Sequence, residues 1–313
     1  MNTISKFFCI CLILILVGVT GCSTEYITLS ETTEIPSYIN QLEVTEIELP
    51  HSPRYEPKHA ILHINHEEFI FAITRPRQYE VDGVVMAGIV PHHITASTMI
   101  SGFFELLTPD FYDLVIILAP NHEGVLADVV TSYRHWDIGN GVFTNQDFID
   151  ALLAENRIST VISHHYMEFD HSASILIPFI YYYLPNVQVA PLLLNRTLSL
   201  ERTIFLFNWL NDWIIESNKN ILLLCSIDFS HFLTQPEAMA RDIVTKEAIE
   251  RRNFHKIHTL CDFYLDSPAS LIIFLMYIDE LNLQLQIIDH SDATEFLGML
   301  DETTSYMIIV GVE

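Results

Sequence analysis

Histidine recurs in this chain where short apolar runs end. Pro91-His92-His93 follows the run Val84–Val90. Ala119-Pro120-Asn121-His122-Glu123-Gly124 follows Leu114–Leu118, and Ser226-Ile227-Asp228-Phe229-Ser230-His231 follows Ile221–Leu224. A fourth histidine, His171, stands in Glu168-Phe169-Asp170-His171-Ser172 at the expected start of a helix, where Asp170 or Ser172 can cap the free backbone N–H groups. Imidazole changes charge near neutral pH and is the commonest protein ligand for zinc, copper and iron. Four imidazoles converging on one sheet edge would make a metal or acid/base site, with Asp228 or Glu123 available to orient a ring through its second nitrogen. A lone histidine at a strand end is ordinarily a satisfied structural side chain. Three strand ends repeating the pattern argue for a site. The chain holds 15 histidines, and the others, among them His59, His63, His135 and His290, are assigned to solvated or structural positions. The adjacent pair His164-His165 is the strongest rival for a chemical role.

The elements that must carry these residues alternate. Val84–Val90, Leu114–Leu118, Val187–Leu194, Ile221–Leu224, Leu285–Ile288 and Tyr306–Val312 read as strands, several of them apolar without alternation, as strands buried on both faces must be. Between them, Thr95–Leu107, Gln146–Ala154, Ser172–Leu184, Leu200–Glu216, Glu237–Asn253 and Ser270–Leu281 have helical length and spacing. Such alternation predicts an α/β fold with a central, mostly parallel sheet flanked by helices. In an open sheet of that kind ligands bind beyond the carboxyl ends of the strands, which is where the histidines stand. The segment Ile61–Tyr79, apolar but interrupted by His63, His66, Glu67 and Glu68, is expected to add an edge hairpin.

Composition narrows the function. Acidic side chains outnumber basic ones 40 to 15, for a formal charge of −25, and no Lys/Arg run exists to neutralise a phosphate backbone, so nucleic acid is excluded as a partner. Met1–Gly21 carries Lys6, an apolar stretch Phe7–Val19 and small residues before Cys22, the arrangement of a lipoprotein signal peptide whose cysteine becomes the acylated first residue. Residues 22–54 then suit a flexible tether, rich in Ser, Thr and Glu and closing on Pro50-His51-Ser52-Pro53, ahead of a single domain at 55–313. The protein is expected outside the cytoplasm, held to the membrane by lipid. Cys9 and Cys11 leave with the signal, and Cys225 and Cys261 remain, able to pair in an oxidising compartment.

Taken in order, five short motifs resemble the Memo-like family, known in prokaryotes as protein B of the AmmeMemoRadiSam system and related in fold to class III extradiol dioxygenases. They are Pro91-His92, Pro120-Asn121-His122, Asp170-His171-Ser172, Ser226-Ile227-Asp228-Phe229-Ser230-His231 and Val310-Gly311-Val312, spanning the chain from about Val84 to its end. The resemblance implies that His92 and His122 bind a metal, iron or copper, and that His231 acts as acid/base, with Asp228 orienting it and His171 facing the same pocket. It implies a third ligand in the region of Tyr264–Pro268, with Cys261 the first candidate and Asp262 and Asp266 the alternatives. Two departures alter the pocket: His93-Ile94-Thr95 replaces a Gly-aromatic continuation, and Ser174 replaces an acidic residue.

The function these features predict is that of a metal-dependent oxidoreductase of dioxygenase type acting on a small molecule or peptide, with a functional link to AMMECR-like and radical SAM proteins implied by the resemblance. The alternatives are a non-catalytic metal- or ligand-binding module, hydrolysis at a metal-bound water, and a pocket that has lost its metal.

Overall fold

The computed structural model describes residues 57–299 and 301–313. The signal segment at 1–21, Cys22, the tether at 22–54 and the start of the domain at 55 lie outside the described residues. Among the described residues nine strands form one sheet: β1 (Val85–Val90), β2 (Leu114–Pro120), β3 (Val129–Thr131), β4 (Phe143–Thr144), β5 (Thr160–Ile162), β6 (Gln188–Leu194), β7 (Ile221–Ser226), β8 (Gln284–Asp292) and β9 (Ser305–Val312). Their order is β5-β3-β6-β2-β7-β1-β9-β8, with β4 also paired to β6. The central four, β6, β2, β7 and β1, are parallel throughout, whereas β9 and β8 extend one edge antiparallel and β3 runs against β6.

The unbroken apolar runs follow from burial on both faces. Along β2, Leu114, Ile116 and Leu118 enter one core and Val115, Ile117 and Ala119 the other. Helices Leu200–Ser217 and Pro268–Glu280 cover the first face, and Ser97–Glu105 and Ile177–Tyr183 cover the second. Ile272, Ile273, Phe274 and Leu275 are fully buried, so Pro268–Glu280 is apolar around its circumference rather than amphipathic.

Four expectations change. Ile61–Tyr79 contributes a helix, His66–Thr74, instead of a hairpin. The Asn65 side chain accepts from the Glu68 N–H while Glu68 accepts from the Asn65 N–H, each at 2.9 Å, and this reciprocal cap outweighs the broken apolar pattern. The single helix expected at Ser172–Leu184 is two, His171–Ser174 and Ile177–Tyr183, because Pro178 has no N–H to carry one helical ladder through. The helix expected at Glu237–Asn253 ends at Glu250, Arg252 turns left-handed with φ 51, and Phe254–His258 forms a separate turn. Strands β3, β4 and β5, of two or three residues each, are too short to leave a periodic signal. Cys225, buried, and Cys261, exposed, are both free thiols rather than a bridge.

One close approach fixes β1 against its helix. A Cβ built on Gly88 would lie 2.2 Å from the ring of Phe103, which is fully buried and cannot swing aside. Gly88→Ala is expected to lower the unfolding free energy by about 1–3 kcal/mol, the usual range for overpacking, as read by urea denaturation. Adding Phe103→Leu is expected to recover most of the loss.

Candidate metal centre

The parallel pairing of β1, β7 and β2 sets three carboxyl ends side by side, and the loop after each delivers a functional side chain. His92 lies two residues beyond β1, His122 two beyond β2, and Asp228 two beyond β7. A fourth segment, 261–266, is held to the β7 loop by backbone: the Asp266 N–H donates to the Asp228 carbonyl at 3.2 Å and the His231 N–H to the Asp262 carbonyl at 3.1 Å. Around the resulting cavity of about 250 Å3 stand His92, His93, His122, His171, Asp228 and His231, with Arg196, Phe232, Asp262, Asp266 and Thr304 completing the wall.

Hydrogen bonds set the ring tautomers. The Ser226 hydroxyl donates to the Ser172 carbonyl at 2.6 Å, so toward His92 it can only accept, and His92 Nδ1–H donates to it at 3.1 Å. The His92 Nε2 is thereby turned to Asp266 Oδ2 at 3.1 Å and Asp228 Oδ2 at 3.6 Å. His122 is fixed the same way: its Nδ1–H donates to Asp170 Oδ1 at 3.1 Å, and its Nε2 faces Asp266 Oδ2 at 4.0 Å. Each imidazole presents an Nε2 to one carboxylate oxygen, with the opposite nitrogen held by a polar partner, the arrangement found around protein metals. His171 stacks on His122 with ring centroids 4.7 Å apart and 11° between planes. His92, His122 and His171 can each turn one ligand nitrogen into a space where all three lie within 4.8 Å of one another, so this trio could hold a metal ion.

The electrostatics point the same way. Burial alone would push His92 down, but Asp228 first and Asp266 next outweigh it and hold the ring up at about 9. Asp266 answers in kind: burial would raise it, yet His92 keeps it below the carboxylate range. Asp170, accepting from the His122 N–H and Nδ1 and from the Ser172 N–H and hydroxyl, is likewise held ionised against its burial. His171 goes the other way, pushed down by burial and then by the positive charge of His92, and so stays neutral. Asp228 Oδ2 and Asp266 Oδ1 are buried and accept no hydrogen bond among the described residues. Buried carboxylate oxygens without donors suit a cation as their partner.

Several residues take other places than those expected. Cys261 is exposed and lines a neighbouring cavity instead of this one, while Asp262 is engaged by Arg196, so of the three candidates it is Asp266 that meets the histidines. Asp228 contacts His92, through its backbone N–H at 3.0 Å and its ring, rather than orienting His231. That task falls to the Asp262 carbonyl, which accepts from His231 Nδ1–H at 3.3 Å and leaves Nε2 open to the cavity. His171 lines the same cavity, as expected, with its ring beside those of His92 and His122. His164 lies outside the cavity, its Nδ1 sharing the Ser132 hydroxyl with the buried His59 at 2.7 Å each, and Glu123 does not line the cavity. Sequence reading missed Ser226, Asp170 as a partner of His122, and Arg196. The last stands two residues beyond β6, at a fourth strand end that the same positional rule would have flagged.

A family model described as Memo-like protein matches residues 55–310. The chain belongs to the Memo-like family. Curated relatives include a MEMO1 family protein of Pyrobaculum aerophilum, 24% identical over 270 residues that cover 79% of this chain and 89% of the relative. Another, from Saccharolobus solfataricus, is 23% identical and covers 70% and 80%. A third, from Thermotoga neapolitana, is 26% identical over a shorter 157 residues, 49% of this chain and 54% of its own. Among solved structures, an uncharacterized Escherichia coli K12 protein superposes with a TM-score of 0.51 at 12% identity, covering 72% of this chain and 99% of that one. At that identity the match speaks for the fold alone. The Memo-like match covers each of the three strand ends that build the site.

His92 also sets a pH dependence. A pKa raised on folding adds stability in full below the unfolded value and gives it up as pH rises through the folded one. In the presence of a chelator, so that no metal competes, the protein is expected to lose unfolding free energy between pH 6.5 and about 9. In His92→Gln that slope is expected to flatten in denaturant titrations across the same window; an unchanged slope would assign it to other groups.

Proposed function

We propose that this Memo-like protein is a metal-dependent oxidoreductase in which His92, His122 and Asp266 hold one transition metal and His171 lines the substrate side. The observation that carries the reading is Asp266: its Oδ2 lies 3.1 Å from His92 Nε2 and 4.0 Å from His122 Nε2, and its other oxygen is buried without a hydrogen-bond partner among the described residues. Ligands at right angles on one ion stand about 3 Å apart, so the donors need little rearrangement to close on a cation. Two imidazoles and one carboxylate on one face suit iron, which when held there would supply Lewis acidity and leave coordination positions for dioxygen and substrate. His231, held through Nδ1 by the Asp262 carbonyl, offers Nε2 to take or give a proton at the substrate. His93, tied through Nδ1 to the Tyr306 hydroxyl at 2.9 Å, and Phe232 close the wall around the reacting group and limit water there.

Export is part of the same proposal. The residues from Lys6 through Val19-Thr20-Gly21-Cys22 support a lipoprotein anchored through Cys22. One acyl chain binds a membrane only marginally, so firm attachment requires more than one chain at that residue.

Metal content by mass spectrometry, on protein purified without a chelating tag, tests the site. Wild type is expected to carry stoichiometric iron, His92→Ala/His122→Ala none, and Asp266→Ala at least tenfold weaker binding, while Cys261→Ser matches wild type. Metal lost in Cys261→Ser and kept in Asp266→Ala would move the third ligand to the thiol. Oxygen uptake by the iron-loaded protein separates the oxidoreductase from a metal-binding module, which would retain metal and consume no oxygen with any substrate offered.

A further inference from the structure

The metal cavity adjoins a second of about 490 Å3, and the two share His122, Arg196, Asp262 and Asp266. Where they meet, the Arg196 guanidinium pairs with the Asp262 carboxylate. Among the described residues lining either cavity, Arg196 is the one Lys or Arg. A lone guanidinium at the mouth of an otherwise acidic and imidazole-lined site, in a chain of net charge −25, calls for a chemical reason.

The ion pair is built to open. Both side chains are partly in water, Arg196 at 34% and Asp262 at 41%, and pairs this exposed contribute little to stability. The backbone under Asp262 is fixed, because its carbonyl accepts from both the N–H and the ring of His231, so parting the pair moves side chains alone. Asp262 then regains its hydration. A guanidinium is always charged, so a ligand that replaces Asp262 binds best when it brings a negative group. The planar fork of the guanidinium matches a carboxylate with two parallel hydrogen bonds, which a neutral amide or alcohol cannot supply. On the same wall Phe232 stands 63% exposed in a left-handed conformation, φ 58. Such strain in a non-glycine residue clusters at ligand sites, and here it presents a flat apolar surface to the cavity.

We propose that Arg196 selects a small carboxylate-bearing substrate with an apolar body, exchanging Asp262 for the substrate carboxylate while that body lies against Phe232 and points toward His92 and His122. The assignment rests on this cavity being the substrate site of the metal centre. It makes Asp262 the resident occupant of the anion position, a placeholder that keeps the guanidinium paired until substrate arrives.

Calorimetric titration of the full chain with benzoate and with its neutral counterpart benzamide tests this, with metal content measured on the same samples. Benzoate is expected to bind at least tenfold more tightly than benzamide, a difference of about 1.4 kcal/mol. Arg196→Gln is expected to erase that preference, Arg196→Lys to keep a fraction of it as charge without the fork, and Asp262→Asn to strengthen benzoate binding several-fold by removing the competitor. All three variants should hold metal as wild type does. Equal binding of the two probes, or benzoate binding unchanged in Arg196→Gln, in protein that retains its metal would overturn the anion role and leave the metal centre standing. A benzoate preference that depends on Arg196 in protein that takes up no metal would support the anion site and sink the metal reading.

Discussion

Asp170, Asp228 and Asp266 are withdrawn from water at one place, and a buried carboxylate stays ionised only where hydrogen bonds or positive charge replace its hydration. Asp170 meets that demand locally with four donors from His122 and Ser172. Asp228 and Asp266 do not, since among the described residues each keeps one oxygen without a hydrogen bond. Their charge is met by His92, drawn up to about 9 between them. A dication in that space would take over the compensation and let both imidazoles present neutral Nε2 lone pairs. His171, one ring further out, is driven neutral by its burial first and then by the positive charge on His92.

The sheet exists to hold that cluster at a depth its members would not choose. Parallel strands need long crossovers, and the helices supplying them bury both faces of β2 and β7 so completely that the strand ends cannot shift without opening two cores. The site is therefore rigid where the backbone is buried and adjustable where it is not. Histidines on β1 and β2 loops, tied to Ser226 and Asp170, belong to the rigid part. Arg196, Asp262 and Phe232 lie at the solvent side, where an exposed ion pair and one left-handed residue allow side chains to exchange partners.

Family membership and the site bear on each other through the third donor. The Memo-like match spans residues 55–310, yet the thiol that the resemblance first offered sits on the wall of the neighbouring cavity, and a carboxylate faces the imidazoles. A thiolate favours soft metals, whereas two imidazoles and a carboxylate favour iron and keep faces open for exchange of ligands. The chemistry proposed for this chain rests on that one difference of donor.

Much of this was legible in the amino-acid order because it depends on local rules. Apolar runs without alternation announced strands buried on both faces, and the strand-end rule picked out His92, His122 and His231 from 15 histidines, since a loop after a parallel strand stands at the ligand-binding edge wherever the sheet is built. Cap chemistry was legible in principle at Asn65 and Glu68 but lay under an apolar pattern that suggested strands. What only tertiary structure decided is which residues far apart in the chain share a few ångströms. Nothing in the spacing of Cys261, Asp262 and Asp266 says which side chain faces inward; the backbone bonds from Asp266 to Asp228 and from His231 to Asp262 set that register, turning Asp266 to the histidines and leaving Cys261 outside. In the same way Asp228 was claimed by His92 and not His231, because parallel pairing of β1 with β7 aligns their ends. Residue types and periodicity determine which edge carries the chemistry, and long-range backbone pairing decides which atoms meet there.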